Sequence, residues 1–176
     1  MPRDPNGPAA PWFLPGLGAS EAHPGLRNRL MLFGQFVGDW DIERWGIEAD
    51  GSEHRNQGLV YFRWILEGRA VQDVWSLFEG DPRRERPLGT TLRFPNLGED
   101  TWTSVWIAPD RGLLRRFVAR KVGDEIVLAT TKDDGNPEHW IFSEMTSGSF
   151  RWRSEESHDR GKTWKLTEEM HIRRRA

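Results

Sequence analysis

Glu156 and Glu168 are the residues of this chain whose placement most invites chemistry. Between them runs Ser157-His158-Asp159-Arg160-Gly161-Lys162-Thr163-Trp164, residue types that build a hairpin loop. Asp159 can accept backbone N–H groups across such a turn, and Gly161 supplies a positive φ. With Asp159 to Thr163 as the loop, His158 pairs with Trp164. Glu156 then sits beside Leu166, Ser154 beside Glu168, Trp152 beside Met170 and Phe150 beside Ile172. The opposite face sets Arg153 beside Glu169 and Arg151 beside His171; it is wholly polar and belongs in solvent. Glu156 and Glu168 therefore point inward among aromatic side chains. A carboxylate there is costly unless paired or wetted, and an apolar surround raises its pKa towards general acid or base work.

A second hairpin adds a cation. Over Trp102 to Arg120, a four-residue loop from Ala108 to Arg111 pairs Trp106 with Leu113, Ser104 with Arg115 and Trp102 with Phe117. Arg115 on that aromatic face is placed to neutralise Glu168 or to clamp an anionic group of a ligand. His139 and Trp140 are strand neighbours, so only one faces inward. A four-residue loop, Thr146 to Ser149, turns His139 in opposite Glu156, whereas a three-residue loop turns Trp140 in. Near the N-terminus, two-residue turns at Asp50-Gly51 and Glu67-Gly68 pair Trp40 with Tyr61, Tyr61 with Val74 and Arg63 with Gln72. If Trp40 faces inward, so do Tyr61, Arg63 and Gln72. The other face, with Val60, Phe62, Trp64, Val71 and Trp75, is too apolar for bare solvent. Either the Pro11-Trp12-Phe13-Leu14 segment covers it, or a homodimer forms through Phe62, Trp64 and Trp75.

These residues need strands to position them. Six of the eleven prolines fall in the first 24 residues, so residues 1–25 read as an arm. Residues 26–176 read as one domain that begins with a short helix over 26–36, where Leu26, Leu30, Phe33 and Phe36 fall near helical spacing. Beyond Gly38 the pattern becomes period two, and turn signals recur roughly every 10 to 12 residues, the signature of an all-β meander. About ten strands result, and closure into an antiparallel up-and-down barrel removes the exposed edges of so large a sheet. The helix then caps one end.

Gly38-Asp39-Trp40 at the head of the first strand resembles the Gly-x-Trp start of lipocalin and calycin barrels. That resemblance implies an arginine from Arg173 to Arg175 packed on Trp40. The layout is also similar to bacterial calycin-like proteins of unknown function and, distantly, to the nitrobindin haem barrels. The nitrobindin signature continues as Gly-x-Trp-x-Gly-x-Gly, whereas Trp40 is followed here by Asp41-Ile42-Glu43. The run around Asp159 fits the Asp box of sialidases, read here as turn chemistry, since a sialidase propeller needs several copies and a longer chain.

Composition excludes several classes. The chain has no cysteine, so thiolate catalysis, disulfides and cysteine-held metal clusters are out. Its five histidines form no compact ligand pair, and no phosphate-binding glycine motif occurs, so neither metal nor cofactor is expected. Twenty-five basic against 27 acidic residues give no nucleic-acid footprint, and no apolar run suits a membrane span. A cytoplasmic protein is expected. The functional expectation is a barrel that binds one small apolar or aromatic molecule among Tyr61, Trp102, Trp106, Phe117, Trp152 and Met170. Arg63, Gln72, Arg115 and Glu168 would orient it. The alternative is a cofactor-free isomerase, cyclase, lyase or dehydratase using Glu168 or Glu156 as acid or base, with Arg115 or His139 assisting.

Overall fold

The computed structural model describes residues 17–47 and 51–175. A 3-10 turn, Pro24–Leu26, leads into α1, Arg27–Gly34. Ten strands follow: β1 Gly38–Ile47, β2 Glu53–Ile65, β3 Ala70–Glu79, β4 Asp81–Pro95, β5 Trp102–Ala108, β6 Leu113–Val122, β7 Glu125–Thr131, β8 Pro137–Ser143, β9 Ser149–Glu156 and β10 Lys165–Arg174. Each pairs antiparallel with the next, and β1 closes on β10 from Trp40 opposite Arg174 to Gly46 opposite Glu168. The expected closed antiparallel barrel with one short preceding helix is what forms.

Eight residues of helix are too few to stand alone in water. α1 persists because Leu30, Phe33 and Gly34 are buried against one end of the barrel. Phe33 meets Trp102 at 5.1 Å and Phe142 at 5.8 Å, and Phe36 meets Phe150 at 4.6 Å between ring centroids. The Trp64 ring lies so close to Gly34 that a Cβ there would come within 2.4 Å of it. Of the N-terminal arm, the Pro11-Trp12-Phe13-Leu14 segment lies outside the described residues. Its later part packs on the barrel, where the Ala19 amide donates to the Trp64 carbonyl at 2.9 Å and Ala22 is buried.

Trp40 faces inward, fully buried, and its Nε1 donates to the Phe36 carbonyl at 2.6 Å. The Arg174 guanidinium lies 3.9 Å over its ring and donates to the carbonyls of Gln35, Val37 and Ser147. The arginine implied by the calycin resemblance is thus Arg174, and it ties the last strand to the exit of the helix.

The β1–β2 register differs from expectation in a way that exchanges faces. β1 and β2 pair as far as Ile47 opposite Glu53, so residues 48–52 connect them rather than a two-residue turn. That single step sets Trp40 beside Val60 instead of Tyr61, and a one-residue slip exchanges the faces of a whole strand. The β2–β3 pairing, Tyr61 with Val74 and Arg63 with Gln72, is as expected. Consequently Tyr61, Arg63 and Gln72 face outward, while Phe62, Trp64 and Trp75 lie inside, at most 6% exposed. The apolar stripe is the inner face of the barrel and offers no surface to a second subunit.

At the centre of the barrel Asp73 and Arg93 form a fully buried ion pair. Asp73 also accepts the Thr91 amide at 2.9 Å, and the guanidinium packs 5.0 to 5.7 Å from the rings of Phe33, Phe62 and Phe142.

Candidate functional site

The barrel end opposite α1 is where inward side chains leave room. Trp75 of β3, Trp106 of β5, Trp140 of β8 and Trp152 of β9 form a closed ring of edge-to-face contacts. Their centroids are 5.4 Å (Trp75 to Trp152), 5.4 Å (Trp152 to Trp140), 5.8 Å (Trp140 to Trp106) and 6.5 Å (Trp106 to Trp75) apart. Four indoles converge because each sits on the inward parity of its own strand at a similar height. Phe117, fully buried beneath, packs 4.3 Å from Trp140. A cavity of about 160 Å³ is bounded by these four indoles together with Met170, Ser154, Glu138, Arg115, Glu168 and Arg44. Leu88, Leu113 and Arg111 stand at its rim.

Two ion pairs line it. Arg115 donates to Glu138 at 2.6 Å, and Arg44 donates to Glu168 at 2.6 Å. Glu138 is the more enclosed carboxylate, its side chain 5% exposed against 25% for Glu168. It also accepts Trp140 Nε1 at 3.1 Å and Ser154 Oγ at 3.4 Å. Burial is the largest influence on Glu138 and raises its pKa; Arg115 and the Trp140 N–H oppose this, and Glu156, directly across the β8–β9 pair, adds to it. Glu156 points inward too, but it pairs with Lys132 at 2.9 Å beside the cavity rather than lining it.

The last hairpin holds as expected over Ser154–Glu168, Arg153–Glu169, Trp152–Met170, Arg151–His171 and Phe150–Ile172. A bulge between Leu166 and Glu168 shifts the pairing near the loop, setting Glu156 against Lys165. The loop itself is built as its residue types suggest. Asp159 accepts the amides of Lys162 and Thr163 at 2.9 and 2.8 Å, which with the Thr163 hydroxyl holds its carboxyl down at about 2. Outside, Arg151 makes a two-pronged pair with Glu169, as the polar face requires.

Arg115 therefore lines the cavity but neutralises Glu138, not Glu168. The β5–β6 register is displaced by two residues from expectation, with Trp106 opposite Arg115, which keeps every inward residue inward. Trp106, Trp152, Met170 and Glu168 line the cavity. Phe117 lies one layer below it, and Trp102 sits at the far end under Phe33. The β8–β9 register is the one that turns Trp140 in; His139 faces out and stacks on Trp164 at 3.8 Å, where burial lowers its pKa. Tyr61, Arg63 and Gln72 are engaged outside with Glu85, Asp39 and Thr90. Sequence reasoning missed Glu138, Arg44, Arg111 and Trp75. Glu138 and Arg44 share parity with inward tryptophans, Trp140 and Trp40, and that alternation is the signal that could have found them.

A larger groove, about 1090 Å³, runs along α1 and the loops at the closed end. Its charged side chains are all exposed and it holds no enclosed polar cluster, so the small inner cavity is the better candidate. Among the described residues no group of His, Asp or Glu is placed to hold a metal, and no helix is long and apolar enough to cross a membrane.

No family model matches the chain, and no curated protein matches it. Solved structures do. An S-type phycobiliprotein lyase, CPES from Guillardia theta, superposes with a TM-score of 0.61 at 12% identity, over 83% of this chain and 92% of that one. Rv2717c from M. tuberculosis superposes with a TM-score of 0.59 at 11% identity, over 89% of this chain and all of that one. The fold is that of the calycin-like barrels. At such identities the likeness carries the fold alone.

Proposed function

We propose that this barrel binds one small aromatic molecule in the tryptophan-walled cavity at its open end. The observation that carries the reading is the ring of four indoles, which leaves a space walled by aromatic surface, with the polar groups, two ion pairs among them, set around it. Ligand sites have that composition, apolar walls with a small number of placed polar groups. At about 160 Å³ the space is below the ~300 Å³ at which drug-sized pockets begin, so it suits one or two fused rings. Titration with 2-naphthamide, followed by calorimetry, tests this. Trp152→Ala should weaken binding at least about tenfold, consistent with the area an indole buries, and Trp102→Phe, at the closed end, should leave it unchanged. Failure of the wild-type protein to bind any naphthalene-sized aromatic would overturn the reading.

Glu138 favours a second reading, a cofactor-free isomerase, cyclase, lyase or dehydratase. A carboxyl whose pKa burial raises holds its proton more readily than a free one and can pass it to a bound molecule, with Arg115 stabilising negative charge that develops there. That one superposed barrel is a lyase supports enzyme chemistry on this shape. In this reading Glu138 takes the part expected of Glu168 or Glu156.

A further inference from the structure

The cavity's charges and hydrogen bonds are out of balance, and in one direction. Five charged side chains line it, Arg44, Arg111, Arg115, Glu138 and Glu168; three cations against two anions leave one positive charge. Both carboxylates are already committed, Glu138 to Arg115 and Glu168 to Arg44. Arg111 is not. Its side chain, exposed at the end of the short 3-10 turn Pro109–Arg111, has no ion-pair or hydrogen-bond partner among the described residues. The neutral hydrogen-bonding groups lean the same way. Trp75 and Trp152, 5% and 4% exposed, wall the cavity, and the Nε1–H of each is buried without an acceptor. An indole N–H can only donate, so what these groups call for is an acceptor, and they offer nothing to a donor. The raised pKa of Glu138 moves the balance further towards positive charge.

Resting on the reading of an aromatic ligand, we propose that the ligand is an aromatic carboxylate whose anionic group is held at the cavity mouth by Arg111. Aromatic boxes also receive cations, through the negative faces of their rings. Here that use is disfavoured. A cation would meet a surplus of positive charge and have to share a carboxylate already paired at 2.6 Å, whereas an anion meets a free guanidinium and disturbs neither pair.

Three probes of one shape decide it: 2-naphthoate, 2-naphthamide and 2-naphthylmethylammonium, titrated calorimetrically into the full chain at low and high salt. The expected result is naphthoate tightest, by about tenfold over the amide, with the ammonium weakest and the naphthoate advantage shrinking as salt rises. Arg111→Gln, on an exposed and unpaired side chain, should bring naphthoate down to the affinity of the amide. Ammonium binding tighter than amide would overturn the inference, as would a naphthoate advantage that survives Arg111→Gln. If the amide binds and naphthoate gains nothing, the anionic ligand fails while the aromatic site stands; if none of the three binds, the aromatic site fails with it.

Discussion

Glu138 illustrates how one buried carboxyl answers opposing influences. Arg115 and the Trp140 N–H favour its charged form, yet enclosure among indoles outweighs them and its pKa rises. The native state therefore holds a proton that the unfolded chain, titrating near about 4.3, has already released. Stability linked to Glu138 is complete below that ordinary value and is lost as pH rises through the higher native one. Glu138→Gln stays neutral at every pH and keeps an oxygen for the Trp140 N–H. Its melting temperature relative to wild type should therefore climb as pH rises above the ordinary carboxylate value of about 4.3. A difference that is flat across this range would mean that the native carboxyl titrates normally, and the acid–base reading would lose its acid.

Among the elements, β2 shows what a face assignment is worth. Trp64 is 6% exposed against Gly34 and the helix, while its neighbour Arg63 makes only a half-exposed pair with Asp39. Trp64→Glu removes a large buried ring and places a carboxylate in the barrel interior, and should cost at least about 3 to 5 kcal/mol in urea denaturation. Arg63→Glu on the outer face should cost about 1 kcal/mol or less. Comparable costs for the two would mean that β2 is turned the other way, and a folded monomeric Trp64→Glu variant split from a dimer would restore the outer stripe.

For the whole molecule, the polar pair at the barrel's centre separates a packed end from an open one. Asp73 and Arg93 lie below the tryptophan ring and above the Phe33, Phe62 and Phe142 cluster, both fully buried. Removing one partner leaves the other's charge uncompensated, so Asp73→Ala should cost about 3 to 5 kcal/mol. Replacing both together, Asp73→Leu with Arg93→Met, should recover most of that, because well-packed apolar groups often substitute for a buried pair at little cost. If the double variant remains as unstable as the single one, the guanidinium's contacts with the three phenylalanine rings contribute more than the ion pair itself.

Much of this architecture is local and was legible in the chain. The alternation of strands, the Asp159 turn and the helix before Gly38 each depend on residues close in sequence, and the Trp40–arginine contact was what the calycin resemblance implied. Turn chemistry that admits a single geometry, as at Glu67-Gly68, carried its register with it, and the Asp159 hairpin took its expected register beyond one bulge. Where a loop admits two lengths, as after β1 and between β8 and β9, the hairpin alone cannot choose, because one residue more or less exchanges inside for outside. Closure chooses. Each strand of the barrel must share its inner face with both neighbours all the way round, and only the parity that places Val60, Phe62, Trp64, Trp75 and Trp140 inside is consistent with the strands on either side. The chain by itself determined the barrel and half the cavity wall, Trp106, Trp152 and Met170, with Arg115 and Glu168. Only the tertiary structure decided that Glu138, Arg44 and Arg111 complete it, since a ring of strands constrains every face at once and a lone hairpin constrains none but its own.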